Sequence, residues 1–387
     1  MKILILFFFS ILCTNAMAAF HGDVEAGVSS FNNPLYLDDP DTSSTAYQIN
    51  PRLKYDLSSD IVYADIELDA EYTNFSGVTG GDILNSDLQL ETGLGNGQTK
   101  YLGLFAKTSR EKNLIDNELG VAPPVFNDTS TGIVSDFSIS KKSSIYLHYE
   151  QSTTDVDLDD FAYLNSKKSL AYLGYRFRFL PETFFFLQAE SFDGKFKDGL
   201  INENSSDDNV ARRLKYDYTG TGIIAGVKGK LTKYTSIDAS FGLKQIDYDD
   251  DNQFSEPVFS FVFTDQITPK DSLIAGYIYS VEDSSFTNWV LKQDMNIGYA
   301  KIINDTFLFL LKMSYIYYSY SEPQRREDQR LLAKMQFDYV FSPGFAVVTK
   351  LNMDILVSDA YDLDSSADDK PASYQAGDFG IYLKSSF

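Results

Sequence analysis

The sequence predicts an all-β protein, a transmembrane antiparallel up-and-down β-barrel of about 18 strands, an even number in the bacterial range. Three observations predict it: a period-two alternation, a contrast between short and long connections, and an N-terminal export signal. The alternation is clearest over Tyr47–Tyr72. Tyr47, Ile49, Pro51, Leu53, Tyr55 and Leu57 alternate with Gln48, Asn50, Arg52, Lys54 and Asp56. After Ser58-Ser59-Asp60, Val62, Ala64, Ile66, Leu68, Ala70 and Tyr72 alternate with Asp65, Glu67, Asp69 and Glu71. A period of two gives each set its own face of a strand. Consecutive inward carboxylates cannot line a dry core, because unpaired buried charge is too costly. One face therefore meets something apolar and the other meets water. A soluble sheet shows this over a short span, whereas long strands paired across tight turns fit a wall with lipid outside and a watery lumen inside.

The first residues read as a targeting signal. Met1-Lys2 is a small basic n-region, Ile3–Leu12 an apolar h-region, and Ala16 and Ala18 supply small residues before a cut at Ala18/Ala19. The expected division is thus a signal peptide over 1–18 and a single barrel over 19–387. The apolar run is too short for a membrane span. Leu12 stands before Cys13 where a lipoprotein signal would carry Gly or Ala. Cleavage removes the one cysteine, so an exported chain without disulfides needs another stabilising device. Barrel closure is one.

Composition agrees. No later segment approaches the roughly 20 apolar residues of a membrane helix, although 43% of the chain is hydrophobic. The 26 Tyr and 30 Phe against 1 Trp supply interfacial girdles. A net charge of -22 argues against nucleic acid as a partner, since its binding needs a basic face. No linker or low-complexity tract divides the chain.

The strands follow in order. His21–Phe31 reads as the first, with Val24, Ala26 and Val28 opposite Asp23, Glu25 and Ser29. The Tyr47–Tyr72 hairpin comes next, then Ser86–Leu94 turning at Gly95-Asn96-Gly97 into Lys100–Thr108, whose phase the residues leave open. Arg110–Ser130 reads as a long connection containing Pro123-Pro124. Ile133–Ile139 and Ile145–Tyr149 flank Lys141-Lys142, and Ala171–Phe179 turns at Pro181-Glu182 into Phe185–Ser191. Leu214–Leu231 and Ile237–Tyr248 meet at Thr232–Thr235. Strands around Phe261 and Tyr277 meet at Thr268–Asp271, and those around Met295 and Met313 at Asn304-Asp305. Those around Met335 and Leu351 meet at Ser342–Gly344, and Tyr374–Phe387 comes last.

The connections carry independent information. Turns at Ser58, Gly95, Lys141, Pro181, Thr232, Pro269, Asn304 and Pro343 are short and expected on the periplasmic side. The segments near Asp38, Gly80, Pro123, Asp159, Ser205, Asp250, Asp283, Glu322 and Asp364 are expected longer and outside. The chain ends on Phe387 with Leu383, Ile381 and Phe379 in phase. This resembles the terminal signature of bacterial outer-membrane proteins, which implies recognition of Phe387 by the barrel-assembly machinery; Ser385 is polar where that signature is apolar.

Chemistry is sparse. Only His21 and His148 could serve as bases, and no zinc spacing, phosphate-binding loop or nucleophile elbow appears. The expectation is no enzyme, no cofactor and no metal centre, with His148 a solvated lumen residue. Acidic clusters at Asp38–Asp41, Asp155–Asp160, Asp247–Asp251 and Asp362–Asp369 suit Ca²⁺ bridges to lipopolysaccharide or, more simply, solubilise loops. The expected lumen lining carries both signs. Asp65, Glu67, Asp69, Glu71, Asp87 and Glu91 oppose Arg52, Lys54, Arg176, Arg178, Lys292, Lys312, Arg330 and Lys334. Mixed polarity suits a neutral or weakly charged hydrophilic solute. Tyr146, Tyr172, Phe186 and Tyr318 either stack on sugars or fill the wall. Leu114, Leu119, Pro123, Pro124 and Phe126 form an expected constriction loop folded into the lumen, because exposed loops have little reason to be apolar. Docking to a partner is the rival reading.

About 18 strands leave room for an aqueous channel, and the short stretch read before the first strand leads to the expectation of a barrel without a plug domain of the TonB-dependent type. An acidic, cysteine-free, plugless barrel of this size resembles the β-barrel porins of exopolysaccharide biosynthesis operons and the alginate-export porin. The resemblance rests on architecture and strand style along the whole barrel. It implies passage of polysaccharide across a Gram-negative outer membrane, with lipid, lipopolysaccharide and polysaccharide-export components as partners. The alginate porin's arginine-rich lumen is missing here, which counts against an acidic polymer. The alternative is a non-transport surface barrel, an adhesin or assembly factor acting through its outer loops.

Overall fold

The computed structural model describes residues 17–32, 43–59, 61–76, 82–95, 100–112, 125–157, 164–196, 216–249, 252–283, 289–321, 326–360 and 373–386. The first strands are β1 (Met17–Asn32), β2 (Ser43–Ser58), β3 (Val62–Phe75), β4 (Ile83–Gly95), β5 (Lys100–Lys112) and β6 (Val125–Ser138). Next come β7 (Ser143–Val156), β8 (Ser166–Leu180), β9 (Thr183–Phe196), β10 (Tyr218–Lys230), β11 (Thr235–Tyr248) and β12 (Gln253–Thr268). The last are β13 (Asp271–Asp283), β14 (Trp289–Ile302), β15 (Phe307–Tyr320), β16 (Arg326–Ser342), β17 (Phe345–Ala360) and β18 (Tyr374–Ser386). Each pairs antiparallel with the next, and β18 pairs with β1 from Asp23↔Ser386 to Asn32↔Gly377. The fold is a closed 18-stranded up-and-down barrel. Closure satisfies every strand edge, which a sheet in lipid requires.

The exterior carries the apolar set. Leu88, Leu104, Leu147, Leu173, Leu187, Leu243, Ile297, Leu351 and Leu383 are all exposed there. On β15 the outward run goes from Phe307 through Leu311 and Met313 to Tyr317. At about 3.3 Å per residue and a tilt near 40° that run rises about 25 Å, the height of a lipid-facing band. Aromatics gather at the turn end: Phe179 stacks on Phe185 at 4.3 Å and Phe341 on Phe345 at 6.2 Å, each pair spanning a tight turn. Such a surface cannot face water, and the barrel spans a membrane.

Local chemistry sets the turns. Asn304 Oδ1 accepts from the N–H groups of Thr306 and Phe307 at 2.8 and 2.9 Å, an Asx turn joining β14 to β15. Thr232 Oγ1 does the same for Tyr234 and Thr235 at 3.1 and 3.0 Å. Gly344, at φ +80°, supplies the left-handed residue after Pro343.

Several sequence expectations change. Phe126 belongs to β6 and not to a loop, because Lys112↔Val125 and Glu111↔Phe126 continue the ladder; Leu114, Leu119, Pro123 and Pro124 lie outside the described residues. The Asp250 connection covers only 249–252, no longer than the 231–234 turn at the other end. The contrast in connection length is therefore real but not uniform. β10 begins at Tyr218, later than Leu214, and β8 begins at Ser166, earlier than Ala171. β5 resolves its phase: Leu102 and Leu104 are exposed outside, while Phe105 and Lys107 share the inner face with Glu91 and Gln89. β1 starts at Met17, just ahead of the expected cut. The rest of the signal segment and Phe387 lie outside the described residues.

Candidate functional site

The inner face is the site that these strands build. The ladder carries one phase around the ring. Arg52 opposes Asp69, Lys54 opposes Glu67, Asp69 opposes Asp87 and Asp65 opposes Glu91. His148 opposes Tyr172, and Lys312 opposes Lys334. By the same register Glu71, Arg176, Arg178, Lys292 and Arg330 stand on this face. All fifteen charged or histidine positions expected to line the lumen thus share the face opposite the apolar one.

Many of them are paired. Arg52 meets Asp69 at 3.1 Å, Lys54 meets Asp56 at 3.5 Å, Arg176 meets Asp136 at 2.8 Å and Lys292 meets Glu282 at 3.0 Å. Arg330 holds Asp354 with two nitrogens, at 2.9 and 2.6 Å, the planar fork that guanidinium favours. His148 Nε2 lies 3.2 Å from Glu150, and Glu91 accepts from Tyr63 at 2.8 Å. Lys312, Lys334 and Arg178 have no ion-pair partner among the described residues.

Aromatic rings span neighbouring strands over glycines. Phe105 on β5 crosses β6 at Gly132, where a Cβ would sit 2.4 Å from its ring, and stacks on His148 at 5.3 Å. His148 stacks in turn on Tyr172 at 4.6 Å, the planes 4° apart. Tyr146 lies over Gly174, reaches Gln188 on β9 at 3.1 Å, and carries the Arg176 guanidinium 4.0 Å above its ring. These faces are spent on one another and on the guanidinium. Tyr146 and its neighbours build wall.

The ring is sharply curved around β10 and β11. Lys168 on β8 meets Asp283 on β13 at 2.5 Å, and Asp283 also accepts from Tyr218 on β10 at 3.2 Å. Five strand spacings are about 24 Å of wall at about 4.8 Å each, far beyond the reach of a lysine and an aspartate in a round barrel. The wall folds tightly around β10 and β11, and Tyr218, Ile246, Tyr248 and Phe254 fill that bend with Phe192 and Trp289 against them. Half the ring away, Lys350 on β17 meets Glu25 on β1, and Tyr382 on β18 donates to Gln48 on β2 across Gly27.

Beside these last strands the interior holds cavities. One of about 600 Å³ is lined by Arg52, Glu71, Lys312, Lys334 and Lys350 with the amides of Asn50, Asn296, Gln336 and Asn352. A neighbouring one of about 360 Å³ adds Gln48, Arg330, Asp354, Asp378 and Tyr382. The sequence reading passed over Lys350, Asp136 and Asp354, put Glu25 on the polar face of the first strand without counting it in the lining, and assigned Asp283 to an outer connection, where the structure makes it the last residue of β13. Phase counting from Leu351 would have found Lys350; the cross-strand partners depend on curvature, which no local pattern encodes.

The acidic clusters have structural uses where they are described. Asp157 accepts from Val125 N at 2.8 Å, closing the end of β6, and Asp247 accepts from Gln253 at 2.5 Å. No group of metal-ligating side chains occurs among the described residues.

No family model and no curated protein matches the chain. Among solved structures it is similar to OccK3 (OpdO) from Pseudomonas aeruginosa, at 12% identity and a TM-score of 0.47, covering 95% of each chain. It is similar also to OccAB4 from Acinetobacter baumannii, at 11% identity and a TM-score of 0.47, over 97% of this chain and 98% of that one. The ferric enterobactin receptor PfeA of P. aeruginosa, as its R480A mutant, shares 10% identity at a TM-score of 0.46, over 97% and 82%. The barrel itself rests on its own closed ladder.

Proposed function

We propose that the protein is an outer-membrane channel for hydrophilic solutes in a Gram-negative bacterium, and that its solutes are oligosaccharides or polysaccharides. One observation carries the reading. Charged and amide side chains occupy the inner face around the ring while the outer face is apolar. A barrel with that division encloses water, and water inside a wall of this size is a path. Paired charges of both signs leave little net field that would favour ions over neutral solutes, and amides offer donors and acceptors to hydroxyl groups. Candidate partners are membrane lipid and lipopolysaccharide outside, the barrel-assembly machinery during insertion, and polysaccharide-export components at the periplasmic mouth. The alternative, a surface barrel acting through its outer loops, needs no conducting lumen. Current through the purified chain in a planar bilayer decides: stepwise increments support the channel, and a silent, folded barrel overturns it.

A further inference from the structure

The charges of the inner wall are not evenly spread. Lys312 and Lys334 are direct cross-strand neighbours on β15 and β16. Like charges so placed repel, and neither has an ion-pair partner among the described residues. The other cations around them are differently placed. Lys350 is engaged by Glu25 and Arg52 by Asp69. All four cations border the same 600 Å³ cavity, against one carboxylate, Glu71. Asn50 also lines this region, and its buried Oδ1 has no hydrogen-bond partner among the described residues. Ile274 and Leu310, on the inner face, give the cavity apolar margins. Its size lies in the range of small-molecule sites.

From these we infer an anion-binding subsite in the barrel, which rests on the channel reading and narrows it. Lys312 and Lys334 together take a carboxylate or sulfate group borne on a sugar unit. The amides of Asn50, Asn296, Gln336 and Asn352 take the hydroxyls of that unit and its neighbour. An anion between the lysines removes the repulsion that the empty ladder carries, so the pair is stabilised by its ligand. In sequence the two lysines stand apart, each among tyrosines and leucines. The ladder of β15 and β16 brings them together in a protein whose net charge is -22.

The test uses the full chain in planar bilayers near physiological salt, where the screening length is about 8 Å. The probes are a galacturonic-acid oligomer and a neutral glucose oligomer of equal length. The uronate should block the current for longer than the neutral oligomer. In K312Q/K334Q its residence time should fall by about tenfold or more, since two charge-assisted hydrogen bonds are lost, while neutral blocks stay as they were. K312R/K334R keeps the charges and should keep the block. Gel mobility before and after heating confirms that each variant folds. Equal residence of both probes in the unaltered protein overturns the subsite, as does a uronate block unchanged in K312Q/K334Q or lost in K312R/K334R. Those results leave the channel standing; absence of any current removes both.

Discussion

Replacing Ala333 by arginine probes the wall at one residue. Ala333 lies on the outer face of β16, between Met313 on β15 and Met353 on β17. It is seven residues from the outer end of a strand that runs from Arg326 to Ser342, close to midplane. Arginine there must leave water for hydrocarbon, a cost of about 2–4 kcal/mol in a barrel wall, falling to about 0–1 near the interfaces. The next residue, Lys334, faces the interior opposite Lys312. Lys334→Ala removes a like-charge neighbour pair, so it should be neutral or stabilising by about 0.2–1 kcal/mol. Reversible urea unfolding in phospholipid vesicles reads both, as a shift of midpoint at constant slope. Ala333→Arg should unfold at clearly lower denaturant and Lys334→Ala should not. Equal losses, or a larger loss for Lys334→Ala, would mean that the lipid and water faces are exchanged.

Other outcomes follow from the same geometry. Gly174→Ala puts a Cβ 2.1 Å from the Tyr146 ring and should cost about 1–3 kcal/mol of overpacking, whereas Gly298→Ala, with nothing nearer than 3.7 Å, should cost nothing or stabilise slightly; the same unfolding experiment separates them. A peptide tag inserted near Asp207 should bind antibody on intact cells and one at Pro343 should not, and surface access at Pro343 would invert the orientation. Deleting Phe387 should leave protease-sensitive precursor in the periplasm, seen by fractionation; normal assembly would remove its role as the recognition residue.

The barrel was legible in the sequence because the alternation is inverted relative to a soluble sheet: Leu88 and Leu90 point out while Asp87 and Glu91 point in. Turn chemistry at Pro181, Asn304 and Pro343 fixed which strands pair, and with the phase it placed the interior charges. The phase of β5 was obscure because Phe105 turns inward to cross Gly132 while Ala106 and Thr108 face out. Glycines such as Gly132 and Gly174 carry no signal of their own in the sequence; in the barrel they are floors for aromatic rings. The pairing of Lys168 with Asp283 depends on where the closed wall bends. That is a property of the whole ring. For the same reason the cavity shared by Arg52, Lys312 and Lys350 could not be assembled from any single hairpin.

The most direct measurement is a cysteine scan of β16 from Gln329 to Asp338, recorded as current through single channels. The one native cysteine, Cys13, lies in the segment expected to be cleaved, so each introduced thiol stands alone. A charged, membrane-impermeant thiol reagent should alter conductance at Arg330, Leu332, Lys334, Gln336 and Asp338, which share the inner face. It should leave conductance unchanged at Gln329, Leu331, Ala333, Met335 and Phe337. A period of two in the response is the expected result. Modification without that period, or interior thiols that react without touching the current, would contradict a water-filled lumen bounded by this wall.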